Sequence, residues 1–178
     1  MGRGRVARRG SVRSTVVSTV PPTGLVVGRF DPPHLGHSFL IERAAERCDR
    51  LVVYVNSSAS RDTAPGRLRA QWLAELHPDV TVVELVHDLP TDFGDEALWA
   101  RWIALFRDRW PWPTGPDIVC SSDPYVAELA RRLGAEPVVV DADRVNVPIS
   151  ATMVRTDPAA HLEMLAPQVR AWVEANWV

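Results

Sequence analysis

Five short apolar runs, each followed by a stretch with helical spacing, constrain this chain more than any other feature. They are GLVVGRF at 24–30, LVVYVN at 51–56, VTVVELV at 80–86, DIVCS at 117–121 and PVVVD at 137–141. Runs this apolar, with little polar alternation, are the pattern of strands buried on both faces. Between them lie helical segments. One starts at Gly36, with Leu40, Ile41, Ala44 and Ala45 recurring at three and four residues. RDTAPGRLRAQWLAEL reads as a loop and a helix, with Pro65 suited to the first turn. A third helix runs from about Asp95 to Arg109, a fourth is YVAELARRL ending at Gly134, and a last one runs from about Pro167 to Asn176. This alternation predicts an α/β fold, a five-stranded parallel sheet with helices on both faces. Its 178 residues fit one domain. In such sheets ligands sit outside the carboxyl ends of the strands, at a topological switch point.

Charge divides the chain unevenly. Residues 1–23 hold Arg3, Arg5, Arg8, Arg9 and Arg13 and no acidic residue, while the net charge of the whole is −2. The leader has no apolar core segment, so it is not read as a secretory signal. It is expected to be a disordered Arg-rich tail, with the domain at 24–178. The acidic remainder argues against nucleic-acid binding, which needs a basic face. No apolar run reaches ~18 residues, so no membrane span is expected. Cys48 and Cys120 are isolated and fit a reducing, cytoplasmic setting as small packed hydrophobes. All twenty basic side chains are arginine. Without lysine, Schiff-base chemistry and a GxxxxGK[ST] phosphate loop are excluded.

The first strand ends in GRFDPPHLGH, at 28–37. A helix opened by Gly36 and His37 would present unpaired N–H groups and a partial positive charge. The Pro32-Pro33 pair stiffens the approach. Gly28 would let a ligand come close to the backbone, and Gly36 would let helix and strand pack tightly. His34 and His37, three apart on the first turn, point the same way and can both donate to phosphate oxygens. A metal pair is the rival, but no nearby Cys, Glu or third His has ligand spacing. A second stretch, ISATMVR at 149–155, places Ser150 as an N-cap, Thr152 two residues inside, and Arg155 on the next turn. A hydroxyl, exposed N–H groups and a guanidinium there suit a polyphosphate.

Gly28-x-Phe30-x-Pro32-x-His34-x-Gly36-His37 resembles the GxFxPxHxGH motif of the HIGH-motif nucleotidyltransferases, and Ile149-Ser150-x-Thr152-x-x-Arg155 resembles their ISxTxxR motif. GRF in place of GGTF, and the segment from DIVCSSDPY through VDADR to ISATMVR, are similar to archaeal and NadR-type nicotinamide mononucleotide adenylyltransferases. The likeness covers about residues 24–175. It implies a Rossmann-like nucleotidyltransferase fold and transfer of an adenylyl group from ATP to nicotinamide mononucleotide, giving NAD and pyrophosphate. It leaves a different phosphate acceptor (nicotinate mononucleotide or phosphopantetheine) and a non-catalytic nucleotide sensor as alternatives. Bifunctional NadR proteins carry a kinase domain with a lysine phosphate loop, an activity not expected from this lysine-free chain.

The resemblance implies catalytic roles for His34, His37 and Arg155. ATP would be bound by these together with Gly28, Arg29, Phe30, Gly36, Ser121, Asp141, Arg144, Ile149, Ser150 and Thr152. A local salt bridge is the competing account of Asp141 and Arg144. For nicotinamide mononucleotide the candidates are Phe30, Arg61, Arg67, Trp99 and Trp102, with Trp99 the better placed to stack on the pyridine. No protein metal site is expected; Mg²⁺ would ride on the ATP phosphates. Asp31 has two readings, a loop residue that accepts from a neighbouring N–H or a residue that helps orient Mg²⁺, with the loop role the safer. The implied partners are the two nucleotides, with a homo-oligomer left open and neither membrane nor nucleic acid expected.

Overall fold

The computed structural model describes residues 22–178. Strands β1 (Thr23–Gly28), β2 (Arg50–Ser57), β3 (Thr81–Val86), β4 (Ile118–Ser121) and β5 (Glu136–Val139) form one wholly parallel sheet in the order β3-β2-β1-β4-β5. The helices are α1 (Leu35–Ala45), α2 (Gly66–Leu76), α3 (Glu96–Asp108), α4 (Val126–Leu133), α5 (Ala151–Thr156) and α6 (Pro167–Asn176). The expected five-stranded parallel sheet of Rossmann-like type, with helices on both faces, is present. All but the last two residues of the Arg-rich leader lie outside the described residues, and Thr23 already belongs to β1.

Alternate side chains of β1 serve opposite faces, as the pleat requires. Leu25 and Val27 join Tyr54, Trp99, Phe106 and Leu129 in one core, which α3 and α4 cover. Val26 joins Val53, Ile41 and Leu73 in the other, under α1 and α2. A third cluster links Trp72 of α2 to Ile149, Val154, Val169 and Val173, so α5 and α6 are held beside α2. The free Cys120 is buried in the second core, and burial pushes its thiol up to about 12, which leaves it unreactive. Cys48 is half-buried. Among the described residues no helix is long and apolar enough to cross a membrane.

Element ends are set by specific caps. Asp95 starts α3 by accepting from the Ala97 and Leu98 N–H groups at 2.8 and 3.0 Å. Gly134 ends α4 with φ +78°, the left-handed position that favours glycine. Several boundaries differ from the sequence expectation, among them the end of β5, which stops at Val139 ahead of Asp141 with φ +48°. β1 stops at Gly28, because Phe30 has φ +52°, outside strand geometry. α1 opens one residue before Gly36, with His34 as its N-cap. A 3-10 segment, Ala159–Met164, follows α5 and has no periodic signature of its own.

Sheet order has one functional consequence. From β1 the chain runs outward to β3, then returns across the sheet to β4 on the other side of β1. The crevice beyond β1 and β4 is therefore the switch point.

Candidate active site

The β1–α1 loop builds the first half of the site. A Cβ on Gly28 would lie 3.0 Å from the Phe30 ring, so Gly28 makes room for that ring and not for a ligand. Phe30 is buried and meets His37 edge-on, with centroids 4.8 Å apart. Asp31 is also buried and ties this loop to the start of α2. Its carboxylate accepts from Thr63 N–H (2.9 Å), Thr63 O–H (2.8 Å) and Ala64 N–H (2.9 Å). The His34 carbonyl accepts from the His37 and Ser38 N–H groups, at 2.9 and 3.2 Å. The His34 N–H points to His37 Nδ1 at 3.3 Å. That bond makes Nδ1 the acceptor and leaves the His37 proton on Nε2.

The two imidazoles stack, 3.6 Å apart and 20° from parallel. Burial, then the charges of Arg144 and Arg155, push His34 down to about 3. Burial and the neighbouring His34 hold His37 well below its ordinary range. Both rings are neutral at pH 7, and each brings one N–H donor. Gly36 permits the stack: a Cβ there would stand 3.1 Å from the His34 ring and 3.3 Å from Ile149.

The second half comes from α5. Ser150 Oγ accepts from Met153 N–H at 3.2 Å. One Arg155 nitrogen donates to Thr152 Oγ1 (3.2 Å) and another donates to the Asp31 carbonyl. The two motifs, over a hundred residues apart, thus touch directly. Between α5 and β5 lies a tight turn in which Asp141 and Arg144 have φ +48° and +50°. The Asp141 carboxylate accepts from the Asn146 N–H and side-chain amide and from the Val145 and Val147 N–H groups, and these bonds lower its pKa. Asp141 and Arg144 are not joined as a salt bridge. The acid builds the turn and the arginine stands exposed on it.

All of these groups line one cavity of about 370 Å³ at the carboxyl ends of β1 and β4. One end is cationic and rich in N–H donors: His34, His37, Arg144, Ser150, Thr152 and Arg155. The other is aromatic: Phe93, Trp99, Trp102 and Tyr125. Such a cavity can hold an anionic chain at one end and a flat ring at the other.

A family model described as cytidylyltransferase-like matches residues 25–157, three quarters of the chain. This chain belongs to the cytidylyltransferase-like family. It is 27% identical over 83% of its length to the trifunctional NAD biosynthesis/regulator protein NadR of Escherichia coli. It is 26% identical over 76% of its length to the nicotinamide-nucleotide adenylyltransferase of Thermococcus onnurineus, covering 72% of that protein. The chain spans only 39% of the NadR relative. A solved NadR protein in complex with NAD and AMP-PNP superposes with a TM-score of 0.61 at 24% identity, covering 81% of this chain and 44% of that one, which establishes the shared fold.

Within this cytidylyltransferase-like cavity the sequence-derived residues fall into two groups. Gly28, Arg29, Phe30, His34, Gly36, His37, Ser121, Asp141, Arg144, Ile149, Ser150, Thr152 and Arg155 line it, as do Trp99 and Trp102. Arg61 and Arg67 do not. Arg61 joins its own loop to the one after β3, donating to Ser58 Oγ (3.3 Å) and the Leu89 carbonyl (3.0 Å). Arg67 is on the exposed face of α2, away from the cavity. Arg29 turns its guanidinium to the Arg61 carbonyl (2.8 Å) and toward Asp31 and Asp62. Trp99 is 5% exposed, with its N–H on the Phe93 carbonyl and Arg132 over its ring. Trp102 is half-buried and presents more of its surface.

Sequence reasoning missed Asn56, Thr91, Phe93 and Tyr125, which also line the cavity. Phe93 and Tyr125 stack at 5.5 Å, and the Tyr125 hydroxyl donates to the Val27 carbonyl at 2.9 Å. It missed Arg69 too. This fully buried arginine bonds to Asp62 and to the carbonyls of Arg29, Asn56 (3.3 Å) and Ala64 (2.9 Å), fixing the ends of β1 and β2. It shares the buried face of α2 with Trp72 and Leu73, and its charge hid that, since charged residues rarely enter a core.

Proposed function

We propose that this chain is a nicotinamide-nucleotide adenylyltransferase, condensing ATP with nicotinamide mononucleotide to give NAD and pyrophosphate. The observation that carries this reading is the meeting of the two motifs, through Arg155 and the Asp31 carbonyl, around one cavity with a cationic and an aromatic end. The names of two similar relatives agree with it.

In the reaction an oxygen of the mononucleotide 5′-phosphate attacks the α-phosphorus of ATP. A new P–O bond forms, the bond from the α-phosphorus to the bridging oxygen breaks, and pyrophosphate leaves with that electron pair. The attacking oxygen is already anionic, so no general base is required. What the chain supplies is position and charge. The N–H groups of His34 and His37, with the amino end of α1, face the α- and β-phosphates, while Arg155 and Ser150–Thr152 hold the β/γ end. Both rings serve as neutral N–H donors, and those bonds strengthen as charge builds on the leaving group.

Mg²⁺ belongs to the proposal as a counter-ion bound to phosphate oxygens and water. Two of the carboxylates that line the cavity, Asp31 and Asp141, fit that role poorly as direct ligands. Asp31 is taken up by Thr63 and Ala64, and Asp141 by its own turn. When bound, the ion neutralises the triphosphate and polarises the leaving group.

The test is a pyrophosphate-release assay with ATP and each of nicotinamide mononucleotide, nicotinate mononucleotide and phosphopantetheine. Pyrophosphate and NAD from the first acceptor support the reading; turnover of phosphopantetheine alone, or of none, rejects it.

A further inference from the structure

Phe30 is buried yet has φ +52°, a left-handed conformation that a bulky side chain keeps only where its surroundings hold it. Two arginines from separate helices supply that hold, one on each side. Arg69 of α2 donates to the Arg29 carbonyl, which fixes the peptide plane entering Phe30. Arg155 of α5 donates to the Asp31 carbonyl, which fixes the plane leaving Asp31. The Phe30 ring between them is turned edge-on to His37, with centroids 4.8 Å apart. The segment that the two arginines grip therefore backs one of the paired imidazoles.

Unlike Arg155, Arg69 does not line the cavity. It is fully buried, and its donors are spent on the protein. Nε donates to the Ala64 carbonyl at 2.9 Å, one terminal nitrogen to the carbonyls of Arg29 and Asn56 (3.3 Å), and the other to the Asp62 carboxylate. Burying an ion pair costs desolvation, and apolar residues of like volume often serve a core as well or better. Packing alone therefore does not account for an arginine at this place. What arginine provides is a planar fork that reaches all four of these acceptors at once. Ala64 extends the connection, because its N–H donates to the Asp31 carboxylate at 2.9 Å while its carbonyl accepts from Arg69. Asp31 then passes it to Arg155 through its own carbonyl.

We propose that Arg69 is a positioning residue for adenylyl transfer: without meeting a nucleotide, it sets the Arg29–Asp31 backbone so that Phe30 aligns His37 and the Asp31 carbonyl aligns Arg155. This rests on the adenylyltransferase reading above. Lysine in its place keeps a charge opposite Asp62, but an ammonium gathers its donors at one point and cannot span the fork's acceptors. The Arg29 carbonyl is then released, and Phe30 relaxes from its left-handed geometry. The His37 N–H and the Arg155 guanidinium both leave their lines toward the triphosphate, and transfer slows although every group that touches the nucleotides is still present.

Steady-state kinetics, melting curves and NMR spectra of histidine-labelled protein test this on the full chain. The set is the wild type, Arg69→Lys, Asp62→Asn, Arg155→Lys, the double variant Arg69→Lys/Arg155→Lys, and Leu133→Ala. Leu133 is buried at the end of α4 and does not line the cavity, so its variant reports loss of stability alone. In folded Arg69→Lys, kcat should fall roughly ten- to a hundredfold, the scale of a misplacement of about 1 Å, with the mononucleotide KM within about threefold. The His37 ring resonances should shift as the Phe30 ring turns away. Asp62→Asn, which loosens the same fork, should give a smaller fall in the same direction. Because both arginines act on one backbone segment, the double variant should be within about threefold of the slower single. Leu133→Ala should melt earlier and keep its kcat within about threefold. An unchanged kcat or unmoved His37 resonances in Arg69→Lys, losses that multiply in the double variant, an equal loss of kcat in Leu133→Ala, or failure of both Arg69→Lys and Asp62→Asn to fold overturns the inference. A wild type that makes no NAD defeats only the parent reading, since the His37 resonances report the positioning without turnover. A wild type that turns over, beside an Arg69→Lys that matches it, defeats only the inference.

Discussion

His34 and His37 illustrate how one tripeptide spacing produces a chemical device. The His34 N–H fixes the His37 tautomer, and the stacking of the rings, the burial and two arginines keep both neutral. A pH dependence follows. An unfolded histidine takes a proton near pH 6.5, whereas folded His34 resists until about 3. Between those values the unfolded chain binds more protons, so stability falls as pH drops below 6.5 and is fully present above it. Urea unfolding midpoints from pH 8 to pH 4 should show this decline, and His34→Gln should flatten it. Gly36 carries a second prediction. Gly36→Ala would press a methyl on the His34 ring at 3.1 Å, and a misaimed donor should cost roughly tenfold or more in kcat, with little change in thermal stability. Steady-state kinetics beside a melting curve reads both.

At the scale of elements, the site depends on loops stitched to one another. Asp31 joins the β1–α1 loop to the residues before α2 by three hydrogen bonds. Asp31→Ala leaves the buried Ala64 N–H without a partner and frees the more exposed Thr63 N–H and hydroxyl, and should lower stability by about 1–3 kcal/mol, seen as a reduced urea midpoint. The sequence made the helices and strands legible because apolar residues recur at their periods, as along β1 and in α3. It also exposed the two motifs, whose residues are close together in one loop each. Phe30 was misjudged: its positive φ folds the ring over Gly28, and no periodicity reports a single left-handed residue. Likewise His34 caps α1 although histidine is not among the favoured capping residues.

For the molecule as a whole, what could not be read was strand order. Asn56, Thr91, Phe93 and Tyr125 come from separate loops, and only the arrangement β3-β2-β1-β4-β5 gathers them at one cavity. Arg61 and Arg67 sat near the crevice by sequence, yet Arg61 is tied to Ser58 and the Leu89 carbonyl and Arg67 lies on the exposed face of α2. A ligand that fills the cavity ties both motifs together, so it should stabilise the entire fold. ATP at a hundred times its Kd is expected to add about 2.7 kcal/mol, visible as a raised Tm.

The most direct test is single-turnover formation of NAD by His37→Ala from saturating ATP and nicotinamide mononucleotide. The rate should fall by about 10²–10⁴-fold, the scale for losing one transition-state donor and somewhat beyond, while the circular dichroism spectrum stays as in the wild type. A rate within threefold of the wild type, with the fold intact, contradicts the claim that the imidazole pair and Arg155 act together on one triphosphate.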